Sequence, residues 1–201
     1  MQDVQEDKLT PSPGLRERKR LETHVRIQSG AMRLFIANGF DATTLDEIAE
    51  AAGVSRRSLF HYFGSKEEIV FAAKAHLPDI VADAIGRRPA DEPLLDMVEN
   101  ALIDLAARYQ TTEAKALARL IHDTPALSAG DQARYEKMER ALAKALADRK
   151  GLPESDVACR VTAATAVGIM KLATEAWLSG EDGGPETFGK SAFAALRRLA
   201  G

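Results

Sequence analysis

Three helix starts lie close together between residues 44 and 68, and they constrain the fold of this chain most strongly. Thr44, Ser55 and Ser65 are hydroxyl residues of the kind that cap a helix N-terminus. Glu47 and Glu68 stand three residues after the first and last of these caps, which is the spacing of a capping box. The sequence therefore predicts short helices that begin at fixed positions and are joined by sharp turns.

The turn between the first two of these helices is Gly53-Val54-Ser55. Glycine permits the positive φ angle that a sharp turn requires, and Val54 fills the gap between the helices. Leu59 and Phe63 are four residues apart and so share one face of the following helix. Further apolar side chains at helical spacing complete a small predicted core: Leu34, Phe35, Leu45, Ile48, Ala49 and Ala52. The pattern is that of a helix-turn-helix.

The other face of the third helix carries Arg56, Arg57, Phe60 and His61. A helix N-terminus favours acidic residues, and two cations there cost roughly 0.3–1 kcal/mol each unless an anion is near. Arginine can bond guanine O6 and N7, and an aromatic ring can contact a thymine methyl group. This face is either a solvated surface or one that meets a nucleic-acid backbone, and the combination with the capped turn favours the second interpretation.

The rest of the chain predicts an all-α fold of about nine helices, with no strand pattern and no repeat. The fourth helix runs from Ser65 to about residue 85, and Pro78 should bend or break it. The later helices are expected at about 93–110, 111–122, 131–149, 153–179 and 185–199. Residues 1–14 are predicted to be a disordered leader. A helix-turn-helix domain is predicted at 15–77, and a helical domain at 78–201.

Composition excludes several classes of protein. The four histidines show no metal-ligand spacing, and no Gly-rich phosphate loop or nucleophile motif is present, so no enzyme, catalytic residue, metal or cofactor is predicted. Cys159 is the single cysteine, which fits a reducing cytoplasm. No signal peptide is apparent, and Arg160 and Lys171 interrupt the apolar stretch 157–177, which predicts a buried helix and no membrane span.

The charge is distributed unevenly along the chain. The net charge of −3 by itself argues against nucleic acid. Residues 15–66, however, hold nine Lys or Arg against six Asp or Glu. This modest excess surrounds the helix-turn-helix pattern, where a basic surface would be needed.

Residues from about 23 to 77 resemble the DNA-binding domain of TetR-type transcriptional regulators. The residues that carry the resemblance are AMRLFIANGFDATTLDEIAEAAGVSRRSLFHYFGSKEEIV. It implies that the third helix enters the major groove, where these residues reach bases or nearby sugar-phosphate: Ser55, Arg56, Arg57, Ser58, Phe60 and His61. Thr44, Tyr62 and Lys66 would hold phosphates. The basic run at residues 16–20 either lies along DNA or is a solvated helix start.

The resemblance also implies a C-terminal domain for dimerisation and effector binding. Candidates for the dimer interface are Leu172, Trp177, Leu178, Phe188, Phe193 and Leu196, which could instead be core residues of one subunit. Candidates for the ligand site are Leu102, Leu105, Leu117, Arg119, Ile121, His122, Ala164, Val167 and Met170. The segments RLIHDTPALSA and AWLSG resemble a branch of the family for which acyl-CoA-type ligands are proposed.

Together these observations predict a cytoplasmic, nucleoid-associated homodimer. It would repress transcription from a near-palindromic double-stranded DNA operator and be released by a small, largely apolar effector. The alternative is a DNA-bound regulator controlled by a protein partner. A mostly apolar cavity of several hundred Å³ would favour the small molecule, and a filled core would favour the partner.

Overall fold

The computed structural model describes residues 14–180 and 184–200, and this part of the chain is helical with no strand. The N-terminal helices are α1 (Leu15–Asn38), α2 (Leu45–Ala51), α3 (Arg56–Tyr62) and α4 (Lys66–Ala72). The C-terminal helices are α5 (Leu77–Gly86), α6 (Leu94–Tyr109), α7 (Thr112–Asp123), α8 (Pro125–Lys150), α9 (Val157–Ser179) and α10 (Gly184–Ala200). The all-α class is confirmed. The predicted leader, residues 1–14, lies outside the described residues except for Gly14.

The caps of α2 and α3 are those that the sequence predicts. The Thr44 side chain accepts a hydrogen bond from the Glu47 backbone N–H, and the Glu47 carboxylate accepts one from the Thr44 N–H at 2.7 Å. The Ser55 hydroxyl accepts from the Ser58 N–H at 3.1 Å. Gly53 adopts φ +64°, the left-handed conformation that the sharp turn requires.

The prediction for the N-terminus of α4 is confirmed for the cap but not for the capping box. The Ser65 hydroxyl accepts from the Glu68 N–H at 3.2 Å, but the predicted second capping box is wrong. The Glu68 carboxylate instead accepts from the N–H of Gly64, at 2.6 Å. That N–H lies one residue before the cap, so the glutamate satisfies a donor of the turn and not one of the helix.

The predicted break near Pro78 is confirmed. Helix α4 ends at Ala72, and α5 begins at Leu77 with Pro78 in its first turn, where the missing N–H is not needed. Residues 73–76 form the turn between them. Counting the two halves separately gives ten helices in the described part of the chain where about nine are predicted.

Two later helices begin at residues other than those expected. Helix α8 starts at Pro125, six residues before the predicted start, because proline fits the first turn of a helix. Gly130 continues this helix and lies against the Phe71 ring, where an added Cβ would come within 3.0 Å of two ring carbons. Helix α9 starts at Val157, after a cap by the Asp156 carboxylate, and not at Pro153.

The buried side chains form two clusters. The N-terminal cluster joins α1 to α4 and also takes in Ile121 of α7 and Leu127 of α8. The C-terminal cluster joins α5, α6, α8, α9 and α10. The domain boundary predicted after residue 77 stays a prediction, because the N-terminal core takes in side chains from beyond it.

Helix α9 is the central helix of the C-terminal bundle, because it contacts α6, α7, α8 and α10. By length and composition alone it could also cross a membrane, with a mean hydropathy of 1.3. Its inward face carries Cys159, Ala163 and Val167, all buried against the neighbouring helices. This face agrees with the predicted buried helix, whereas Val157, Val161, Ala164 and Leu172 on another face are exposed.

Candidate nucleic-acid interface and ligand cavity

Helix α3 divides its side chains between the core and solvent. Leu59 is fully buried and Phe63 is 2% exposed, whereas Phe60 is 46% exposed. The first turn of α3 has no acidic residue, in contrast to α2 and α4, whose first turns each have two. The outward face of α3 therefore presents a positive helix end to solvent.

The two arginines of α3 have different surroundings. The Arg56 guanidinium forms an ion pair with Asp46 of α2, at 2.8 Å, and lies 5.7 Å from the centre of the Phe60 ring. Within the described residues, no acceptor or carboxylate lies within bonding distance of the Arg57 guanidinium. Arg57 is thus the arginine whose donors are available for a ligand.

The structure brings five of the predicted DNA-contacting residues together. A shallow depression on the surface of α3 is lined by Arg57, Ser58, Phe60, His61 and Tyr62. The His61 and Tyr62 rings meet edge to face, with centroids 5.8 Å apart. The Ser58 hydroxyl lies 2.8 Å from that of Ser55, so the serine pair is engaged at the helix cap.

The other predicted phosphate contacts are engaged within the chain. Thr44 is the cap of α2, and its hydroxyl donates to the Glu47 carboxylate at 2.8 Å. The two bonds from Thr44 lower the pKa of Glu47, so this carboxylate is charged and lies where a phosphate is predicted to bind.

Lys66 has a structural role in this geometry. Its ammonium donates to the carbonyls of Phe40 at 2.8 Å, Thr43 at 3.0 Å and Asp41 at 3.4 Å, and it lies 4.6 Å from the centre of the Phe40 ring. An ammonium has three donors, and all three point at the loop before α2. The predicted phosphate role of Lys66 stays a prediction that requires these bonds to break.

We expect Lys66→Met to lower the free energy of unfolding by roughly 1–3 kcal/mol, because hydrogen bonds from a charged donor are lost in the loop before α2. Urea unfolding measures this change. Lys137→Met is the matched control at an exposed position, where the change should stay within about 0.5 kcal/mol. If Lys66→Met leaves the free energy of unfolding unchanged but weakens binding to all DNA sequences equally, the result supports phosphate binding by Lys66.

The basic run at residues 16–20 forms the first turns of α1, and its side chains are exposed. The run is helical, so it follows the helix axis and does not form an extended arm. This placement agrees with a solvated helix start.

A cavity of about 570 Å³ lies inside the C-terminal domain. Its walls come from the end of α4, from α5, α6, α7, α8 and α9, and from the start of α10. Most of the lining is apolar, including Leu102, Leu105, Met138 and Met170, and Trp177 contributes an aromatic wall. The volume is in the range of small-molecule sites.

Three of the nine predicted ligand residues line this cavity: Leu102, Leu105 and Met170. The other six do not line it. Leu117 and Ile121 pack against the N-terminal cluster, and Val167 is buried in the C-terminal core. Ala164 is exposed on α9.

The two polar candidates for the ligand site also lie elsewhere. Arg119 donates to the Leu178 carbonyl. His122 is exposed beside Asp123, at 2.9 Å, and lines a smaller neighbouring cavity of about 200 Å³. On α7, Leu117 and Ile121 pack in the N-terminal cluster, and it is Ala114 and Ala118 that line the cavity.

The predicted dimer residues separate into three groups. Phe193 and Leu178 are buried within the subunit, and Trp177 lines the cavity, so they are core or cavity residues. Phe188 and Leu196 are half-buried. Leu172 alone among the six is exposed, at 52%.

An apolar stripe runs along α9, and Leu172 is its single member among the predicted dimer residues. It consists of Val157, Val161, Ala164, Gly168 and Leu172, which recur at the spacing of one helix face. Val157 is 69% exposed and Val161 is 59% exposed. The helical spacing of these residues is visible in the sequence. It does not show which of the two apolar faces of α9 is buried within the subunit. We call this surface the α9 stripe.

Within the described residues, no group of three or more His, Cys, Asp or Glu side chains could hold a metal ion. Cys159 is buried, and burial raises the pKa of its thiol. Its sulfur is therefore protonated at neutral pH and a weak nucleophile.

Two family models match the chain. Residues 27–73 match the model described as bacterial regulatory proteins of the tetR family. Residues 92–200 match the model described as the MftR C-terminal domain. The two matches correspond to the helix-turn-helix unit and to most of the cavity-containing domain.

Curated relatives extend over most of the chain. The HTH-type transcriptional regulator TcmR of Streptomyces glaucescens is 30% identical, with 98% of this chain and 92% of that protein covered. A relative from Mycobacterium tuberculosis that carries the name MftR is 32% identical over 82% of this chain and 84% of its own length.

Solved structures support the fold. NalD of Pseudomonas aeruginosa, the secondary repressor of the MexAB-OprM multidrug efflux pump, aligns with a TM-score of 0.62. The alignment covers 89% of this chain and 96% of NalD at 16% identity, so it shows the fold alone.

Proposed function

Since the chain belongs to the TetR family of bacterial transcriptional regulators, we propose that it is a homodimeric repressor released from its operator by a small, largely apolar effector. Regulators of this family bind DNA operators, act as dimers and are not enzymes. They are soluble cytoplasmic proteins, and association with the nucleoid would follow from operator binding.

The observation that carries the proposal is the outward face of α3. Arg57, Phe60 and His61 are exposed on a helix whose inward face is fixed by Leu59 and Phe63. This helix would enter the major groove, with one α3 from each subunit in each half of a near-palindromic operator. The exposed positive end of α3 would meet the phosphate backbone, which offsets the cost of having no acidic residue there.

Selection of bound DNA from a random pool tests this proposal directly. The expected result is a near-palindrome whose half-sites are spaced by about one helical turn or a multiple of it. Recovery of no enriched sequence, or of a single unpaired half-site, would contradict the proposal.

Arg57→Ala should weaken binding to the selected operator by about 1–3 kcal/mol, because Arg57 has free donors that can read a base. Binding to unrelated DNA should change much less. Arg56→Ala is the comparison variant, and its effect should be smaller because Arg56 is paired with Asp46. Operator affinities are measured at one salt concentration, and an unchanged affinity removes Arg57 from base readout.

The cavity favours a small-molecule effector over control by a protein partner. A volume of about 570 Å³ with mostly apolar walls is what a small ligand requires, whereas control by a protein partner requires no such space. The cavity reaches Phe71 and Ala72 at the end of α4, so an occupant would touch the helix that follows the helix-turn-helix. Effectors of the acyl-CoA kind are the first class to test by operator release.

A further inference from the structure

The wall of the largely apolar cavity contains a charged polar region where the turn between α4 and α5 meets α8. Lys74 lies in that turn, and Asp131 and Arg134 lie on α8. All three line the cavity, and Lys74 and Asp131 also line the smaller neighbouring cavity. The polar region is therefore part of the wall that the two cavities share.

Arg134 ties the two domains together at this point. Its guanidinium lies 3.4 Å from the Asp131 carboxylate and donates to the Phe71 carbonyl at 3.1 Å. It also lies 4.8 Å from the centre of the Phe71 ring. The Phe71 carbonyl accepts a second bond from the Lys74 N–H, at 3.0 Å. The C-terminal end of α4 is thus held by α8 through one arginine.

The ammonium of Lys74 has no such partner. Among the described residues, no acceptor lies within hydrogen-bond distance of it and no carboxylate forms an ion pair with it. Burial lowers its pKa, Asp131 opposes that effect, and Arg134 adds to it. A partly buried cation without a hydrogen-bond acceptor is costly, and an anion beside it would relieve that cost.

The acidic groups of the cavity wall are already engaged. Asp131 pairs with Arg134, and the Glu68 carboxylate accepts from the Gly64 N–H. A third cation, Lys137, lies at an exposed position of the lining. The wall therefore has an excess of positive charge in an otherwise apolar space.

We propose that the effector is an apolar molecule with one anionic group, and that Lys74 and Arg134 bind this group inside the cavity. This inference rests on the proposed function only in taking the cavity as the effector site. The apolar body would lie against Leu102, Leu105 and Met170. The anion would meet the turn that joins the DNA-binding unit to α5, and it would compete with Phe71 for Arg134.

Two probes of nearly identical shape test the charge requirement. 8-Anilinonaphthalene-1-sulfonate carries one anionic group, and N-phenyl-1-naphthylamine is the same ring system without it. Trp177 is the single tryptophan of the chain and lines the cavity, so its fluorescence reports occupancy without an operator. Titration of the full chain gives the two dissociation constants.

The expected result is that the sulfonate binds at least about tenfold more tightly than the neutral probe, since bonds to an ionised group are the strong ones. Lys74→Met and Arg134→Met should each reduce that preference to about threefold or less. Arg140→Met is the control, because Arg140 is an exposed cation of α8 that does not line the cavity, and this variant should keep the full preference. Ala106→Phe, which fills the cavity, should weaken both probes.

Equal affinity for the two probes would overturn the inference, as would a preference that survives both Lys74→Met and Arg134→Met. Failure of both probes to bind would overturn it too. Displacement of the sulfonate by decanoate, decanoyl-CoA and decanol identifies the head group. If either decanoate or decanoyl-CoA displaces the sulfonate more strongly than decanol does, the inference is supported. The stronger of these two anions then shows whether the head group is a carboxylate or a phosphate. If decanol is the strongest competitor, the inference is contradicted.

Operator release is measured separately, so the two proposals fail in different ways. If the charge preference is found but bound probes leave operator affinity unchanged, the ligand class stands and the regulatory part of the proposed function fails. If ligands release the operator without any preference for charge, the regulatory part stands and the present inference fails.

Discussion

Leu172→Glu should convert the dimer to a monomer at micromolar concentration. Leu172 is 52% exposed in one subunit and belongs to the α9 stripe, and we propose that a second subunit covers this stripe. In a symmetric interface, both subunits would place the new carboxylate in the contact. Each of these charges would then be buried without a partner of opposite charge. We expect the dimer dissociation constant to rise by at least about 100-fold, which corresponds to about 2.7 kcal/mol.

Light scattering and sedimentation measure this change. Ala133→Glu on the exposed side of α8 is the matched control and should remain dimeric. The monomeric variant should also lose most of its operator affinity, because a single recognition helix reads only one half-site. A Leu172→Glu protein that stays dimeric would place the interface elsewhere on the molecule.

Phe63→Ala should destabilise the DNA-binding unit by about 3–5 kcal/mol, the usual cost of deleting a buried aromatic ring. Phe63 is 2% exposed, and its ring centre lies 4.5 Å from that of His24 on α1. Leu59 and Phe63 are the buried side chains that hold α3. Loss of the ring should therefore release α3 from α1 and abolish operator binding through unfolding.

Phe60→Ala provides the matched control for this experiment. Phe60 is the same residue type three positions earlier, inside α3, whereas Phe63 is the residue directly after that helix; the Phe60 side chain is 46% exposed. Its replacement should change the free energy of unfolding by no more than about 0.5 kcal/mol, while any DNA contact of the ring is lost. Urea unfolding and operator binding together separate the two roles, and equal destabilisation by both variants would contradict the division of α3 into two faces.

The sequence predicts this fold well where the determining contacts are local. The caps at Thr44, Ser55 and Ser65 depend on side chains three residues apart, and all three form. The predicted start of α8 is wrong by six residues, and the segment that it leaves out contains Gly130, which lies inside the helix against Phe71, a residue far away in the chain. Helical periodicity alone gave no reason to extend the helix through that glycine.

The functional sites, too, could be predicted only where their geometry depends on residues close together in the sequence. The outward face of α3 follows from the rotation between neighbouring residues, so Arg57, Phe60 and His61 could be placed from sequence. Periodicity also places Ile121 on an inward face, but it cannot say that Ile121 packs in the DNA-binding core while Ala118, one turn earlier, lines the cavity. Lys74, at the polar region of the wall, lies in a turn where no periodic pattern applies, and it was missed.

The N-terminal core takes side chains from both halves of this chain, which limits how its parts can be exchanged with those of a relative. Ile121 and Leu127 come from the C-terminal half of the chain but are buried among side chains of the DNA-binding unit. A chimera joined at residue 77 would bring a foreign surface against both residues and leave holes or clashes there. Recombination that changes operator preference is therefore expected to succeed when the junction between α7 and α8 is inherited together with the first four helices.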